Sequence, residues 1–597
     1  MNLSSIELNN FRGFKEATIE LEKITAFVGT NSSGKSTVLQ AIQKLIETKS
    51  KFVEDDFHLH RSAELEICGT FALTPEERKT VSEALGVPIE SLKIRKIGRN
   101  EGNVITEYQV AIPDYGNPLL NPFNVNTKTL KDYKRATEEN KLPQEFSGCT
   151  RVGETKELLT KYLMDAKLKP QGTKWIDIKT KDLEPFLPSS LYIPAFENIE
   201  KHTEYKKTNF FGLMLQNVFQ KLEENTDYKR FKMQYENLTK RIFSPDANRR
   251  VKDIVEFEES LTGYIQEILP TRVSLNFSVP EVSDFLLNNF VIHLDDGVKT
   301  PVTGKGHGAQ RAIIWALLRY FLDNLKADST KSTIFLVEEP ELYLHPQAQR
   351  VMLKTLKELA ERGQVIYSSH SPVFVDLEHP QSIRVVRKQG TEASIYTLPK
   401  VTENDKEQIR YLKWMGDAQN EIFFAKSVIL YEGATEKLIL THMNKHPIDD
   451  VGDMKINRKI AKPMNFDELG CQLISTGGKF SMPFFTKLLI HARIPFYVIY
   501  DKDSSNGEHE MTNRHIENNI RLAKSKSILA ESKIHHPYLE ADWNLPYNEN
   551  EKADTIYELL KSNTDEWPEK MRMKYENLRK GLYKFAWNAF LGNTRGK

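Results

Sequence analysis

The sequence predicts an α/β protein built from two successive blocks of alternating strands and helices, the first interrupted by a long, mainly helical insertion. Three observations predict it. The apolar run ITAFV (24–28) leads into GTNSSGKST (29–37) and then into a helix-periodic stretch. From 287 onward, strand-like and helix-like segments alternate. After a transition near 395–420 a second alternation begins with SVILYEG and reaches FYVIYDKDSS (496–505). Strand–helix alternation of this kind argues for mostly parallel sheets.

A chain of 597 residues implies several domains on the usual scale of ~100–200 residues each. Its composition, 39% hydrophobic and 28% charged, is that of a globular protein. No run of about 18 apolar residues is present, so no membrane span is expected. The first residues alternate like a strand and lack a signal-peptide pattern, which predicts a cytoplasmic protein. Cys68, Cys149 and Cys471 stand alone, which fits a reducing compartment and argues against a disulfide framework or a zinc site. With a formal net charge of +1, any nucleic-acid site must be a local basic patch.

Taken in order, SSIELNNF and EATIELEKITAFVG read as strands. In KSTVLQAIQKLIET, Val38, Leu39, Ile42, Leu45 and Ile46 fall at helical spacing. Residues 63–73 read as a strand and 75–85 as a short helix. The stretch 120–190 is polar and lysine-rich. We read 120–290 mainly as an insertion, with helices around 205–245 and 251–268. Clear signals resume with FVIHLDDG, the helix RAIIWALLRYFLDNL, the strand STIFLVEEP, the helix HPQAQRVMLKTLKELAERG and the strand QVIYSSHSP. The second block comprises SVILYEG, TEKLILTHMNKH, CQLIST, FSMPFFTKLLIHA and PFYVIYDKD, followed by a charged, helical tail. The expected domains are therefore 1–120, the insertion 121–285, 286–410 and 420–597.

Gly29-x4-Gly34-Lys35-Ser36 is a full P-loop between a strand and a helix, the context its mechanism requires. Backbone N–H groups cradle phosphates, Lys35 reaches the β/γ-phosphates and the Ser36 hydroxyl binds Mg²⁺, with Asn31 and Thr37 completing the ATP contacts. An ordinary glycine turn rarely carries this whole pattern. In IFLVEEPELYLHP an apolar strand delivers Glu338 and Glu339 to the carboxyl edge of the sheet, where ligands bind. Glu338 would hold Mg²⁺ through water and Glu339 would polarise the attacking water. Two solvated acids would be the plainer reading if they stood without the P-loop. His370 ends the next strand, within reach of a γ-phosphate.

TGKGHGAQRA (303–312) precedes the apolar helix and carries Gly304, Gly306, Gly308 and Gln310. At this point the order resembles the ATP-binding cassette (ABC) family, in the branch that includes RecF, SMC and OLD-type proteins. The resemblance implies that Gly306, Gly308 and Gln310 contact ATP held by an opposing copy of the chain, so that heads pair around nucleotide. The loop departs from the usual Ser-Gly-Gly-Gln wording, and no sustained heptads mark an SMC-type coiled coil in 120–290.

The second block carries a different chemistry. LYEGATEK ends a strand at Glu432 and opens a helix at Glu436; YDKD places Asp501 and Asp503 at another strand end. Residues i and i+2 of a strand face the same way, so both aspartates can converge. Acids at adjacent strand ends, without His or Cys, are hard ligands for Mg²⁺ or Mn²⁺. Two such ions about 4 Å apart would activate water and stabilise a leaving oxygen in phosphodiester cleavage. One Asp-x-Asp by itself reads as a solvated turn. Three elements in order, with STGGK (475–479) between them carrying Gly477 and Gly478, resemble the Toprim domain.

An ABC-type ATPase head followed by a C-terminal Toprim domain resembles the OLD family of ATP-dependent nucleases, which includes the nuclease subunit of the Gabija anti-phage system. The resemblance covers about 1–115 and 285–510. It implies a helical dimerisation insertion, further metal-site acids after the Asp-x-Asp, and a C-terminal lysine. LEADWN offers Glu540 and Asp542 as the acids, with Asn544 where another acid is expected. KMRMKYENLRK (570–580) offers Lys570 and Lys574, although a solvated helix face is the preferred reading of that run.

The expected protein is a metal-dependent endonuclease acting on double-stranded DNA. ATP and Mg²⁺ (or Mn²⁺) would serve the head, and Mg²⁺ or Mn²⁺ the Toprim site. It is expected to form a homodimer or homotetramer through the head and insertion. A helicase or retron component, if required, must come from another chain. The alternatives are a RecF-like, ATP-switched DNA clamp, which needs no paired carboxylates, and a topoisomerase, for whose strand-passage domain the chain lacks room.

Overall fold

The computed structural model describes residues 1–60, 62–120, 130–139, 142–165, 168–195, 223, 225–242, 251–267, 269–275, 282, 291–324, 332–399, 417–448, 464–503, 507–545, 552–562 and 564–592. The chain divides into two units. One comprises residues 1–190, 329–341 and 345–597; the other comprises 191–328 with 342–344.

Among the described residues, three sheets lie wholly or mainly in the first unit. The N-terminal one is antiparallel, ordered Phe14–Glu20, Asn2–Phe11, Glu64–Ala72, Ser91–Asn100, Val104–Asp114 and Gly172–Asp177. Alternation sets its buried face: Leu3, Ile6, Leu8, Leu65, Ile67, Phe71, Leu92 and Ile94 are all within 1% of full burial. Gly172–Asp177 lies in the polar stretch read as insertion, yet it pairs with Val104–Asp114 from Gln109 to Asp114. It is an edge strand with no fully buried position, so its sequence shows little apolar contrast.

The second sheet positions the P-loop. Ile24–Val28 lies at its centre, parallel to Gln364–Ser369 on one side and Ile383–Gln389 on the other; Thr333–Glu338 follows beyond Gln364–Ser369. Glu392–Thr397 closes one edge as an antiparallel hairpin, and Ser189–Ile193 begins the other, where the Ser189 amide donates to the Ser332 carbonyl at 3.0 Å. The inner strands are buried at nearly every position, the pattern of a parallel sheet covered on both faces.

The third sheet is wholly parallel, ordered Cys471–Ser475, Ser427–Tyr431, Phe496–Asp501 and Ala530–His535. The charged tail belongs to this core. Met571, Tyr575, Leu578, Leu582 and Phe585 of the last helix, Glu569–Gly592, pack with Ile429, Met443, Trp543 and Trp567. Among the described residues, hydrogen bonds from Asn420 and Arg387 link the segment leading into this sheet to the second. Asn420 Nδ2 donates to the carbonyls of Pro372 (2.9 Å) and Val375 (3.1 Å), and Arg387 Nη1 donates to the Ala425 carbonyl at 3.1 Å.

In the second unit, the helices Thr226–Ile242 and Lys252–Gln266 bury no residue within the described structure, and Phe231, Leu238, Phe257 and Tyr264 are exposed. They fall where the sequence predicts helices, although 205–222 lies outside the described residues. A hairpin, His293–Asp295 with Lys299–Pro301, precedes the helix His307–Asn324.

Candidate active sites at two sheet edges

At the second sheet, the loop 29–34 leaves the central strand and enters the helix Lys35–Ile46, whose first turn carries no acid to offset its positive end. Gly29 has φ +148°, and a Cβ there would meet the Val386 carbonyl oxygen at 2.2 Å. Lys35 is 4% exposed; its Nζ donates to the carbonyls of Gly29 (3.1 Å) and Thr30 (2.9 Å). Burial pulls its ammonium down to about 8, with Glu339 and Glu341 opposing. Ser36 and Thr37 are half-buried beside it, and Asn31 is exposed on the loop.

The neighbouring strands bring the partner residues to the same edge. His370 follows Gln364–Ser369, and its Nδ1 stands 3.4 Å from Lys35 Nζ. Glu338 ends the next strand at 7% exposure, and Glu339 Oε1 stands 3.3 Å from His370 Nε2. Glu339 has a positive φ of 41°, and its amide donates to the Ser368 carbonyl at 2.9 Å. Sequence reasoning missed Glu341. It is buried, accepts from Ser369 Oγ at 2.9 Å and from the His370 amide, and is raised chiefly by burial. It fixes the backbone that presents His370, a role set by residues 28 and 29 positions away. A buried ammonium, an unopposed helix N-terminus and a buried carboxylate together fit a Mg²⁺-bound nucleoside triphosphate.

In the second unit, Gly304 and Gly306 have open space where a side chain would stand, so the chain's own packing does not demand glycine there. A Cβ on Gly308 would meet the Tyr343 carbonyl oxygen at 3.1 Å. Gln310 is buried, and its Nε2 donates to the carbonyls of Thr303 (3.2 Å) and Lys305 (2.8 Å). Its amide therefore braces the glycine loop from within.

At the third sheet, the structure brings Glu432, Glu436, Asp501, Asp503 and Glu540 into one electrostatic cluster at the carboxyl edge. Glu432 directly follows the middle strand. Glu436 is 6% exposed in the first turn of the helix Ala434–Lys445 and accepts from the Gly433 amide at 3.1 Å. Asp501 ends the next strand and accepts from the Leu539 amide at 3.0 Å. Burial pushes Asp501 up to about 8, with Glu436, Glu432, Asp503 and Glu540 adding to it. Burial likewise pushes Glu436 up to about 7, with Glu432 and Glu540 contributing. Glu432 is raised by burial and then by Asp503, while Lys479 opposes. Glu432 Oε2 is buried without a hydrogen-bond partner among the described residues. Mutually repelling carboxylates with such an oxygen fit hard divalent cations.

The segment 539–545 separates the two acids taken from it. Glu540 is 5% exposed, and its Oε1 accepts from Thr435 Oγ1 at 3.4 Å, inside the cluster. Asp542 instead pairs through Oδ1 with Lys574 Nζ at 2.8 Å and through Oδ2 with His535 Nδ1 at 3.1 Å. Partial burial raises its carboxyl, but the Lys574 and His535 hydrogen bonds outweigh this and hold it low. Asn544 stands where an acid is expected, and it closes the short helix Leu539–Trp543 in the left-handed region (φ 59°), which asparagine tolerates. The run 570–580 is not one solvated face: Lys570 is exposed, but Lys574 reaches back to Asp542. Lys479, at 1% exposure, also enters the site unforeseen by the sequence, with its Nζ 3.3 Å from Asp503 Oδ2.

Comparison with known proteins gives a consistent picture. Residues 1–375 match the family described as AAA ATPase domain, and residues 423–503 match the overcoming lysogenization defect protein-like TOPRIM domain. The chain is similar to the OLD nuclease of Thermus scotoductus, with 22% identity over 97% of this chain and 98% of that one. It is also similar to the Old nuclease of Escherichia phage P2 (26%, over 74% and 70%) and to the endonuclease GajA of Bacillus cereus (23%, over 74% and 67%).

Proposed function

The chain belongs to the AAA ATPase domain family, and from that premise we propose that it is an ATP-binding, metal-dependent DNA endonuclease whose head gates or assembles a Toprim nuclease. The observation that carries the reading is the cluster of Glu432, Glu436, Asp501, Asp503 and Glu540 at one sheet edge, with a buried carboxylate oxygen of Glu432 unpartnered among the described residues. A pure DNA clamp has no use for five converging acids.

In the nuclease, Glu432, Asp501, Asp503 and Glu540 would hold the cations, with Glu436 beside them. Bound Mg²⁺ or Mn²⁺ supplies a water of lowered pKa and Lewis-acid stabilisation of the leaving oxygen. Asp542 lies outside this set and pairs with Lys574, whose ammonium would face a phosphate of the bound DNA. In the head, Lys35 would bind the β- and γ-phosphates, Ser36 and Glu338 would hold Mg²⁺, Glu339 would orient water, and His370 would meet the γ-phosphate. Gly306 and Gly308 would face nucleotide on a second copy, on a loop that Gln310 braces from within, giving a homodimer or homotetramer.

The gating route rests on Asn420 and Arg387. Asn420 grips the carbonyls of Pro372 and Val375, just beyond His370, and Arg387 grips the Ala425 carbonyl, just before the strand that leads into Glu432. The similarity to endonuclease GajA supports an anti-phage role, and no described helix is long and apolar enough to cross a membrane. The test is cleavage of plasmid and linear double-stranded DNA with Mg²⁺ or Mn²⁺, with and without ATP, by the wild type and Asp501→Ala. Cutting lost in the variant supports the nuclease, and the ATP arms give the sign of the coupling. A wild type that binds DNA and hydrolyses ATP but never cuts sinks the reading in favour of a clamp.

A further inference from the structure

We propose that Lys479 is a positioning residue of the acidic site: its ammonium ties the glycine loop after Cys471–Ser475 to the Asp-x-Asp end of Phe496–Asp501, and so sets where Asp501 and Asp503 present their carboxylates to divalent cations. This rests on the nuclease reading above.

The sheet order makes the contact unusual. Cys471–Ser475 and Phe496–Asp501 are not neighbours; Ser427–Tyr431, which leads directly into Glu432, runs between them. Lys479 therefore spans the end of the middle strand. The loop that delivers it turns through Gly477 (φ 69°) and Gly478 (φ 132°), conformations that side-chain-bearing residues rarely adopt. Thr476 pins the loop to the middle strand: its amide and its Oγ1 donate to the Tyr431 carbonyl at 2.9 and 3.1 Å.

Beyond that strand, Lys479 Nζ meets the carbonyl of Asp501 at 2.8 Å, the carbonyl of Lys502 at 3.3 Å and Asp503 Oδ2 at 3.3 Å. An ammonium has three N–H donors, and three acceptors receive them. Two of these are main-chain carbonyls, so the lysine fixes the path of the backbone between the two aspartates. Asp503 has a φ of 38°, in the left-handed region that residues other than glycine occupy only uncommonly. Its amide donates to the Pro537 carbonyl at 3.2 Å while its carboxylate meets Lys479, so it is held from both sides. A lysine serving only as counter-charge could stand at the surface. This one is 1% exposed.

Positioning and counter-charge predict opposite results. A removed counter-charge would leave the acids freer to attract Mn²⁺, whereas a lost brace weakens Mn²⁺ binding. The experiment titrates the full chain with Mn²⁺ in the absence of nucleotide and reads free ion by electron paramagnetic resonance. It compares wild type, Asp501→Ala, Lys479→Met and Lys479→Gln, with thermal midpoint in EDTA and ATP hydrolysis as folding controls. Lys479→Met is expected to weaken the Asp501-dependent Mn²⁺ site at least tenfold with ATP hydrolysis unchanged. Lys479→Gln, which can still donate to the carbonyls, should lose less and decides the matter if the methionine variant fails to fold. Unchanged or tighter Mn²⁺ binding in the folded Lys479 variants overturns the proposal and leaves the nuclease reading standing. Unfolding of both variants also overturns it, since Lys479 would then be a residue of the core. A wild type with no Mn²⁺ site removed by Asp501→Ala overturns both.

Discussion

Lys35 Nζ and His370 Nδ1 stand 3.4 Å apart although 335 residues separate them, because Ile24–Val28 and Gln364–Ser369 run side by side in parallel. The other ring nitrogen of His370 stands 3.3 Å from Glu339 Oε1, so one imidazole links the P-loop lysine to the acid of the third strand. This line assigns separate losses to its members. Glu339→Gln should retain ATP binding and lose about 10²–10⁴-fold in hydrolysis, the usual contribution of a positioned base. Lys35→Ala should lose binding itself. Fluorescent-nucleotide binding and steady-state hydrolysis, measured together, separate the two, and a Glu339→Gln enzyme with near-normal turnover would remove that residue from the mechanism.

Gly29 makes a sharper structural prediction. Its φ is +148°, and a methyl group on its Cα would stand only 2.2 Å from the Val386 carbonyl oxygen, which leaves no room for a side chain. Gly29→Ala must push the loop away from Ile383–Gln389 and disturb the carbonyl that receives Lys35. Nucleotide binding should fall at least tenfold while DNA cleavage without ATP persists. Normal binding in this variant would mean that the loop relaxes more readily than its packing allows.

Much of both sites is legible in the sequence because the signals are local. A P-loop is a short run of consecutive residues, and Asp501 and Asp503 share a strand face by period two. What the sequence hides is tertiary. Lys479 sits in the motif STGGK, yet its acceptors lie 22 to 24 residues on, at the end of a strand not adjacent to its own. Glu341 follows a recognised pair of acids, but its partners are on the next strand. Glu540 and Asp542 look alike in LEADWN, whereas two residues on a helix point about 200° apart, so one enters the cluster and the other leaves it. The edge strand Gly172–Asp177 is obscured by its own half-exposure.

The acidic cluster ties stability to pH with a definite sign. Burial and neighbouring acids push Asp501 up to about 8 and Glu436 up to about 7, above their ordinary values of 3.8 and 4.5. The folded, metal-free protein therefore keeps protons that the unfolded chain has released. The contribution to stability is complete below about pH 4 and is lost as pH rises through 7 and 8. In EDTA the thermal midpoint should fall by several degrees between pH 6 and 9, and saturating Mn²⁺ should flatten the slope. At pH 7, Mn²⁺ binding should release about one proton or more, because the ligands must ionise. Calorimetric titration in two buffers of different ionisation enthalpy measures this release, and a midpoint that rises with pH in EDTA would contradict the burial of these acids.

Lys574 and Asp542 supply the most discriminating test of which acids hold cations. The two meet at 2.8 Å across 32 residues, and the second oxygen of Asp542 is held by His535 at 3.1 Å. Both oxygens of Asp542 are thus engaged by the chain itself, whereas Glu540 faces Thr435 and the other acids. If Asp542 acts by orienting Lys574, Asp542→Asn and Lys574→Met should each slow cleavage at least tenfold while leaving Mn²⁺ affinity within about twofold. Their double variant should be no slower than the worse single, because residues acting as one unit are not additive. Glu540→Gln should behave differently and weaken Mn²⁺ binding itself. Additive losses, or a loss of Mn²⁺ affinity in Asp542→Asn equal to that in Glu540→Gln, would place Asp542 among the ligands and require its ion pair with Lys574 to open when metal binds.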